Sequence, residues 1–260
     1  MSSCLSPGDP APFSVCRPEG AAAVLLTCDH ASNAVPASLG GLGLPQAELA
    51  RHIGWDIGAG AVTRLLAARL DAPAILAGYS RLVIDCNRDP DDPTSIPETS
   101  DGTVVPGNRD LAPAECEARR AAIFAPYHAA IEDWIATRLA RGIVPAVLSI
   151  HSFTPVFAGA ARPWHVGVLW DRDPRLPVPL LAALRADPAL VVGDNEPYSA
   201  RMPAGYTVRH HAVARGLPHV AIELRQDLVG DDAGAARWAA ILAAALAPSL
   251  ARAELYRRLD

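Results

Sequence analysis

The sequence predicts a single α/β domain built on a mixed, mainly parallel sheet flanked by helices. Three observations lead there. The length of 260 residues suits one large domain. Half of the residues are apolar, enough to fill a core of that size. Short apolar runs alternate with longer amphipathic ones, which is the pattern of βαβ units.

The elements follow in chain order. Residues 1–20 are rich in Ser, Pro and Gly and read as a loosely ordered N-terminal segment. Ala22–Cys28 (AAVLLTC) is a continuous apolar run, as expected of a strand covered on both faces. Helical periodicity follows in Gln46–His52 and Ile57–Leu70, and then come two short candidate strands, Ala74–Ala77 and Leu82–Asp85. The Pro-, Asp- and Gly-rich stretch Asn87–Asp110 is too long for an ordinary connection and suits a lid or a binding loop. A long helix is predicted over Pro113–Arg141, with strands at Val144–Ile150 and His165–Trp170. Helix Pro179–Ala186, strand Leu190–Val192, helix Thr207–Arg215 and strand His219–Leu224 complete the alternation. The Ala-rich stretch Ala233–Arg258 has a helical period and should close the sheet. No repeat or linker divides the chain, so residues 1–260 are read as one domain.

Composition excludes several function classes. A formal charge of −5, with arginines scattered rather than clustered, argues against a nucleic-acid surface. Scattered Arg suits a few carboxylate contacts with a small-molecule substrate instead. The five cysteines form no CxxC pair, which argues for a reducing cytoplasm over a disulfide framework. No basic-then-apolar leader opens the sequence, and Arg or Asp interrupts the longest apolar stretches, so no membrane span is expected.

In open α/β sheets, sites collect beyond the carboxyl ends of the strands. Asp29, His30, Ser32 and Asn33 follow the first predicted strand, Asn87 and Arg88 follow the Leu82–Asp85 run, and His151 and Ser152 follow the Val144–Ile150 strand. Two histidines on rigid strand ends, one carboxylate and an open position make a usual catalytic zinc arrangement, which points to His30 and His151. The third ligand is Asp56 or Asn33. An amide oxygen is the weaker zinc ligand, which favours Asp56, although an acid before helix Ile57–Leu70 also suits an N-cap. Asp29 then takes a supporting position.

Glu223 lies inside the apolar run VAIELRQDL, where a carboxylate is costly unless paired or functional. As a functional group it is the candidate general base. Arg81, Asn87 and Arg88 in YSRLVIDCNRDP are candidates for holding substrate carboxylates, with Arg225 beside Glu223. The turn GDNEPYS, with Asn195 and Tyr198, is a candidate substrate loop, and the Tyr206 hydroxyl is a candidate for steadying an oxyanion. Other hydrolytic templates are missing: there is no GxSxG elbow, no HExxH helix and no phosphate loop.

Six ordered motifs carry a resemblance: CDHASNAVP (Cys28–Pro36), GWDIGA (Gly54–Ala59), SRLVIDCNR (Ser80–Arg88), IHSFTP (Ile150–Pro155), GDNEPYS (Gly193–Ser199) and IELRQD (Ile222–Asp227). Together they resemble the N-formylglutamate amidohydrolase family, itself similar to the zinc carboxypeptidases. The resemblance implies a zinc-exopeptidase-like fold (phosphorylase/hydrolase-like). It also implies one zinc ion, held by His30, His151 and a third ligand, with Asn87 and Arg88 as a carboxylate clamp. Tyr206 and Glu223 fall in the family order after them. Where the carboxypeptidases have HxxE, this sequence has Asn33, and Asp56 heads the next helix instead.

The implied reaction is hydrolysis of N-formyl-L-glutamate to formate and glutamate, a closing step of histidine breakdown. A second reading keeps the hydrolase and changes the substrate to another N-acyl amino acid or a small peptide. Bulk from Phe153, Phe157 or Trp164 near the metal would favour formyl. A third reading, a non-catalytic binding protein on the same fold, leaves His30, His151 and Glu223 together without a purpose.

Overall fold

The strands Val24–Cys28, Ala74–Ala77, Ala146–Phe153 and Val166–Leu169 are buried at every position, so the sheet is an interior layer and its strands read as apolar runs rather than alternating ones. The computed structural model describes residues 4–201 and 205–259. The first half of the chain contains β1 (Phe13–Cys16), β2 (Val24–Cys28), α1 (Gln46–Leu49), α2 (Ala59–Leu70) and β3 (Ala74–Ala77). Next come the small hairpin β4 (Thr99–Ser100) and β5 (Thr103–Val104), and then α3 (Pro113–Arg119), which runs through the π-helical turn Arg120–Phe124 into α4 (Ala125–Ala140). β6 (Ala146–Phe153) is followed by a second small hairpin, β7 (Val156–Phe157) and β8 (Ala160–Ala161). The chain continues through β9 (Val166–Leu169), α5 (Pro177–Arg185), β10 (Val192–Asp194), α6 (Tyr206–His211), β11 (His219–Arg225) and α7 (Asp232–Leu250).

The sheet order is β1-β3-β2-β6-β11-β9-β10. β3, β2, β6 and β11 are parallel, while β1 and the β9–β10 pair run the other way. The carboxyl ends of the four central strands and the start of β9 therefore open on one edge. From β2 the chain crosses to β3 on one side, and β6 lies on the other. Such a switch point leaves a crevice at the strand ends.

Period-two alternation divides the core. Val24, Leu26 and Cys28 face the layer made by α2, α5 and α7, with Leu66, Leu180 and Trp238 buried there. Leu25, Ile75 and Val147 face α4 through Tyr127, Ile131 and Ile135. Helix α7 is long and apolar enough to cross a membrane by length and composition, but Ala235, Trp238, Ala239, Leu242 and Leu246 form one stripe buried in the core.

Several sequence expectations are corrected. The N-terminal segment is not loosely ordered: β1 pairs with β3 from Phe13↔Ala77 to Cys16↔Ala74, and residues 1–3 of that segment lie outside the described residues. Leu82–Asp85 is not a strand. Its residues are apolar because they are buried, while Ser80 turns the chain, its Oγ bonding the Gly54 carbonyl at 2.7 Å and the Leu82 amide at 3.2 Å. The helix expected over Ala233–Arg258 ends at Leu250. The strand expected to stop at Ile150 runs on to Phe153, which puts His151 inside it.

Candidate active site

β2 ends at Cys28, and the next two residues, Asp29 and His30, turn into the crevice, both buried. The His30 carbonyl accepts the Asp56 amide at 3.0 Å, which draws the segment before α2 onto the end of β2. The Ser152 hydroxyl bonds the Ile57 carbonyl at 2.8 Å and ties the same segment to β6. Gly58, at φ 80°, caps α2 without a side-chain bond, and a Cβ there would overlap the Val229 carbonyl. Asp56 is thus not the N-cap of this helix, and its carboxylate is directed into the crevice.

There the Asp56 Oδ2 lies 3.3 Å from Nδ1 of His30 and 2.9 Å from Nδ1 of His151, and it accepts the Ser152 amide at 3.2 Å. One ligand atom from each of His30, Asp56 and His151 lies within 4.8 Å of the others, so this buried trio can hold a metal ion. The far ring nitrogens are both held by carboxylates. His30 Nε2 donates to Asp85 at 2.7 Å; His151 Nε2 lies 3.2 Å from Asp29 and 3.0 Å from the Ser149 hydroxyl. Carboxylates placed behind metal-facing histidines fix ring orientation and raise ligand basicity. Asp29 in turn accepts Tyr127 OH at 2.6 Å and Thr207 Oγ1 at 2.7 Å.

The electrostatics fit a cation. Asp29, Asp56, Asp85 and Glu223 are all buried around the two imidazoles, and Arg81 is the cation among them. Burial pushes the Asp56 carboxyl up, but the His30 charge and the bonds from both histidines outweigh this and leave it well lowered. Burial and Arg81 push His30 down; Asp85 and Asp56 outweigh them and raise it. His151 is raised well above its usual value in the same way, by Asp29 and Asp56 against burial. Positive charge between those ring nitrogens is therefore favoured, as a proton or as a metal ion in its place.

Glu223 sits in β11 opposite His151 of β6 and Gly167 of β9. Its Oε2 is buried with no hydrogen-bond partner, and burial, ahead of the opposing pull of His151, raises the carboxyl to about 7. The loop carrying Tyr198 lies against β9, where the Asn195 amide donates to the Val168 carbonyl at 3.0 Å. A Cβ on Gly167 would overlap the Glu196 carbonyl oxygen and lie 3.5 Å from the Glu223 Cβ, so only glycine lets the loop approach.

The remaining sequence-predicted residues divide. Arg81 is at the crevice, but its Nε and Nη2 are bound to Asp85 at 3.0 and 2.7 Å and its Nη1 lies 3.4 Å from Asp56. Asn87 uses Oδ1 to accept the Thr207 amide at 3.0 Å, fastening the start of α6. The Arg88 charge is felt by Asp92 in the following loop. Asn195 organises its own turn, accepting the Trp170 and Ala200 amides at 3.1 Å each. Arg225 pairs with Asp227 and donates to the Pro163 carbonyl at 3.1 Å. The Tyr206 ring packs on Phe124, His128 and His210, at centroid distances of 5.3, 4.8 and 4.6 Å, beside a cavity of about 430 Å³ also lined by Asp89 and Arg209. Tyr198 is the tyrosine whose hydroxyl feels the Glu223 charge.

Sequence reasoning missed Asp85 as a site residue, and Tyr127 and Thr207 behind Asp29. Asp85 carries a usable signal, an acid closing the apolar run LVID. Tyr127 and Thr207 carry none, since each lies far along the chain from Asp29.

The fold is a mixed α/β domain with a mostly parallel central sheet, and the chain is an amidohydrolase. More narrowly, the sequence profile of the N-formylglutamate amidohydrolase family matches residues 22–230, and the chain belongs to that family. Two crystal structures share its fold. The gene product Atu2144 from Agrobacterium tumefaciens is 38% identical, with a TM-score of 0.91 over 95% of this chain and 97% of the other. The N-formylglutamate amidohydrolase from Ralstonia eutropha JMP134 is 21% identical, with a TM-score of 0.74 over 92% of this chain and 97% of the other. A search of the curated proteins finds no match.

Proposed function

We propose that the chain hydrolyses N-formyl-L-glutamate to formate and L-glutamate, using one zinc ion held by His30, Asp56 and His151. The observation that carries this reading is Glu223: a buried carboxyl with an unpartnered Oε2, raised to about 7, beside a His-Asp-His trio. When bound, zinc supplies Lewis-acid polarisation of the formyl oxygen and lowers the pKa of water. Asp85 and Asp29 hold the Nε2 protons of His30 and His151, leaving both Nδ1 atoms as ligands. Glu223 Oε2 takes a proton from the attacking water and returns it to the leaving nitrogen as the C–N bond breaks.

The family membership supports the formyl substrate. So does Phe153, buried on β6 two residues beyond His151 and therefore on the same side of the strand, the kind of bulk that favours a formyl over a larger acyl group. The small-molecule substrate, the absence of nucleic-acid or membrane partners and a cytoplasmic place in histidine breakdown belong to the same proposal. Five free cysteines suit a reducing compartment.

The test is release of glutamate from N-formyl-L-glutamate by zinc-loaded protein, by Glu223→Gln and by chelated protein. Turnover lost in both of the latter is the expected result. Activity that survives chelation would sink the zinc mechanism and leave the substrate standing. A wild type inactive on N-formyl-L-glutamate and active on another N-acyl amino acid would overturn the substrate.

A further inference from the structure

The crevice binds its own cation tightly. Every side-chain contact of Arg81 goes to Asp85 or Asp56, so its charge is already neutralised within the protein. Asn87 gives its Oδ1 to the Thr207 amide and holds its uncharged Nδ2 3.5 Å from His151 Nε2, and Arg88 is a single guanidinium for a substrate with two carboxylates. A dicarboxylate substrate therefore needs another positive group at the mouth, and Arg162 meets the requirement.

Arg162 leaves the β7–β8 hairpin and is half-buried. Its guanidinium lies 4.6 Å from the centre of the Phe157 ring, 4.9 Å from that of Tyr198 and 5.9 Å from that of Phe153. Rings on several sides hold a guanidinium in place without neutralising it. Nη1 donates to Tyr198 OH at 3.0 Å; among the described residues no carboxylate pairs with this arginine. Of five guanidinium N–H groups, four remain for a ligand.

The position is at the reacting end of the sheet. Phe153 is two residues past His151 on β6, and the Tyr198 loop packs on Gly167 against Glu223. The Tyr198 hydroxyl feels both Glu223 and Arg81, and His52 feels both Arg81 and Arg162. Phe157 and Tyr198 are 44% and 42% exposed, so these rings form an open wall rather than core.

We propose that Arg162, held between aromatic rings and hydrogen-bonded to Tyr198, grips the side-chain carboxylate of the substrate and makes the site selective for N-acyl dicarboxylic amino acids. This rests on the hydrolase reading above and names what sets its substrate class. A planar guanidinium suits the task because it binds a carboxylate through two parallel N–H bonds.

The test compares wild type, Arg162→Gln and Arg162→Lys on N-formyl-L-glutamate and on its neutral analogue N-formyl-L-glutamine. The wild-type preference for the acid, read as the ratio of kcat/KM values, should fall about 10- to 100-fold in Arg162→Gln, the range for losing hydrogen bonds to a charged group, and should appear in KM. Arg162→Lys should keep part of it. A ratio unchanged in Arg162→Gln, or an equal loss on both substrates, would overturn the assignment. Calorimetric titration of the zinc-loaded protein with glutarate, and with butyrate as its monocarboxylate control, gives a readout without turnover. Glutarate binding weakened in Arg162→Gln supports the assignment even if the wild type hydrolyses neither substrate, which would count against the hydrolase reading alone. Glutarate bound equally by both proteins, or by neither, overturns it.

Discussion

The Asp85 carboxylate accepts four hydrogen bonds, and an amide in its place cannot keep them all. Oδ1 takes His30 Nε2 at 2.7 Å and the Asn87 amide at 2.8 Å; Oδ2 takes Arg81 Nε at 3.0 Å and Nη2 at 2.7 Å. Asn has one acceptor oxygen and one NH2. If the oxygen keeps His30, the NH2 faces the donors of Arg81, and the flipped amide loses His30 instead. In the first case Arg81 retains only its 3.4 Å contact with Asp56; in the second, His30 Nε2 and the Asn87 amide lose their acceptor. Removing one partner of a buried pair costs about 3–5 kcal/mol, but the Arg81 side chain is 28% exposed and water recovers part, so about 2–3 kcal/mol is expected for Asp85→Asn. Zinc affinity should fall separately by about 10- to 100-fold, because the ring that presents Nδ1 loses its anionic support. Urea unfolding of the metal-free protein measures the first quantity, and zinc competition against a chromophoric chelator measures the second. Wild-type zinc affinity in a folded Asp85→Asn protein would refute the idea that this carboxylate orients His30.

Three further outcomes are expected. Gly167→Ala should lower stability by about 1–3 kcal/mol by pushing the Tyr198 loop off β9, and an unchanged melting temperature would contradict the close approach. Tyr127→Phe removes the 2.6 Å donor to buried Asp29 and should cost about 1–2 kcal/mol in urea unfolding; a neutral result would mean that Thr207 alone satisfies that oxygen. His128 and His211 bond to each other at 2.9 Å, and burial pushes them down to about 4 and about 3. Both stay neutral in the fold while the unfolded chain takes up protons below about pH 6.5, so their contribution is intact above that pH. It is lost as pH falls toward 4, at about 1.4 kcal/mol per histidine per pH unit. Stability that is flat between pH 7 and 5.5 in the zinc-loaded protein would contradict this.

How much could be read from sequence depends on whether neighbours in space are neighbours in the chain. β2, β3, β6, β9 and β11 announce themselves as apolar runs because both faces are buried, which needs no knowledge of partners. Leu82–Asp85 shows the limit of that signal, since burial makes a run apolar whether or not it pairs. β1 was invisible for the converse reason: FSVC is half-exposed and pairs on one side only. The reversal of β9 and β10 leaves no mark on composition. In the crevice, His30, Asp56, His151 and Glu223 were legible because each stands at or in a strand end or helix start. Asn87, Arg88 and Tyr206 were picked out by residue type and position, which do not encode where a side chain turns: Asn87 Oδ1 fastens α6, and the Tyr206 ring packs on Phe124 and His128. Arg162 escaped notice because its meaning depends on three rings brought from separate places.

β1 has a practical consequence for anyone shortening the chain. The span shared with the family begins at residue 22, beyond the strand that covers the outer side of β3. A truncation at that boundary would bare the backbone N–H and C=O groups of Ala74–Ala77, a four-residue apolar strand, along an open margin. Such a margin recruits a matching strand from another molecule. The trimmed protein would keep its catalytic groups and still be lost to self-association, so poor yield from it would say nothing about the chemistry in the crevice.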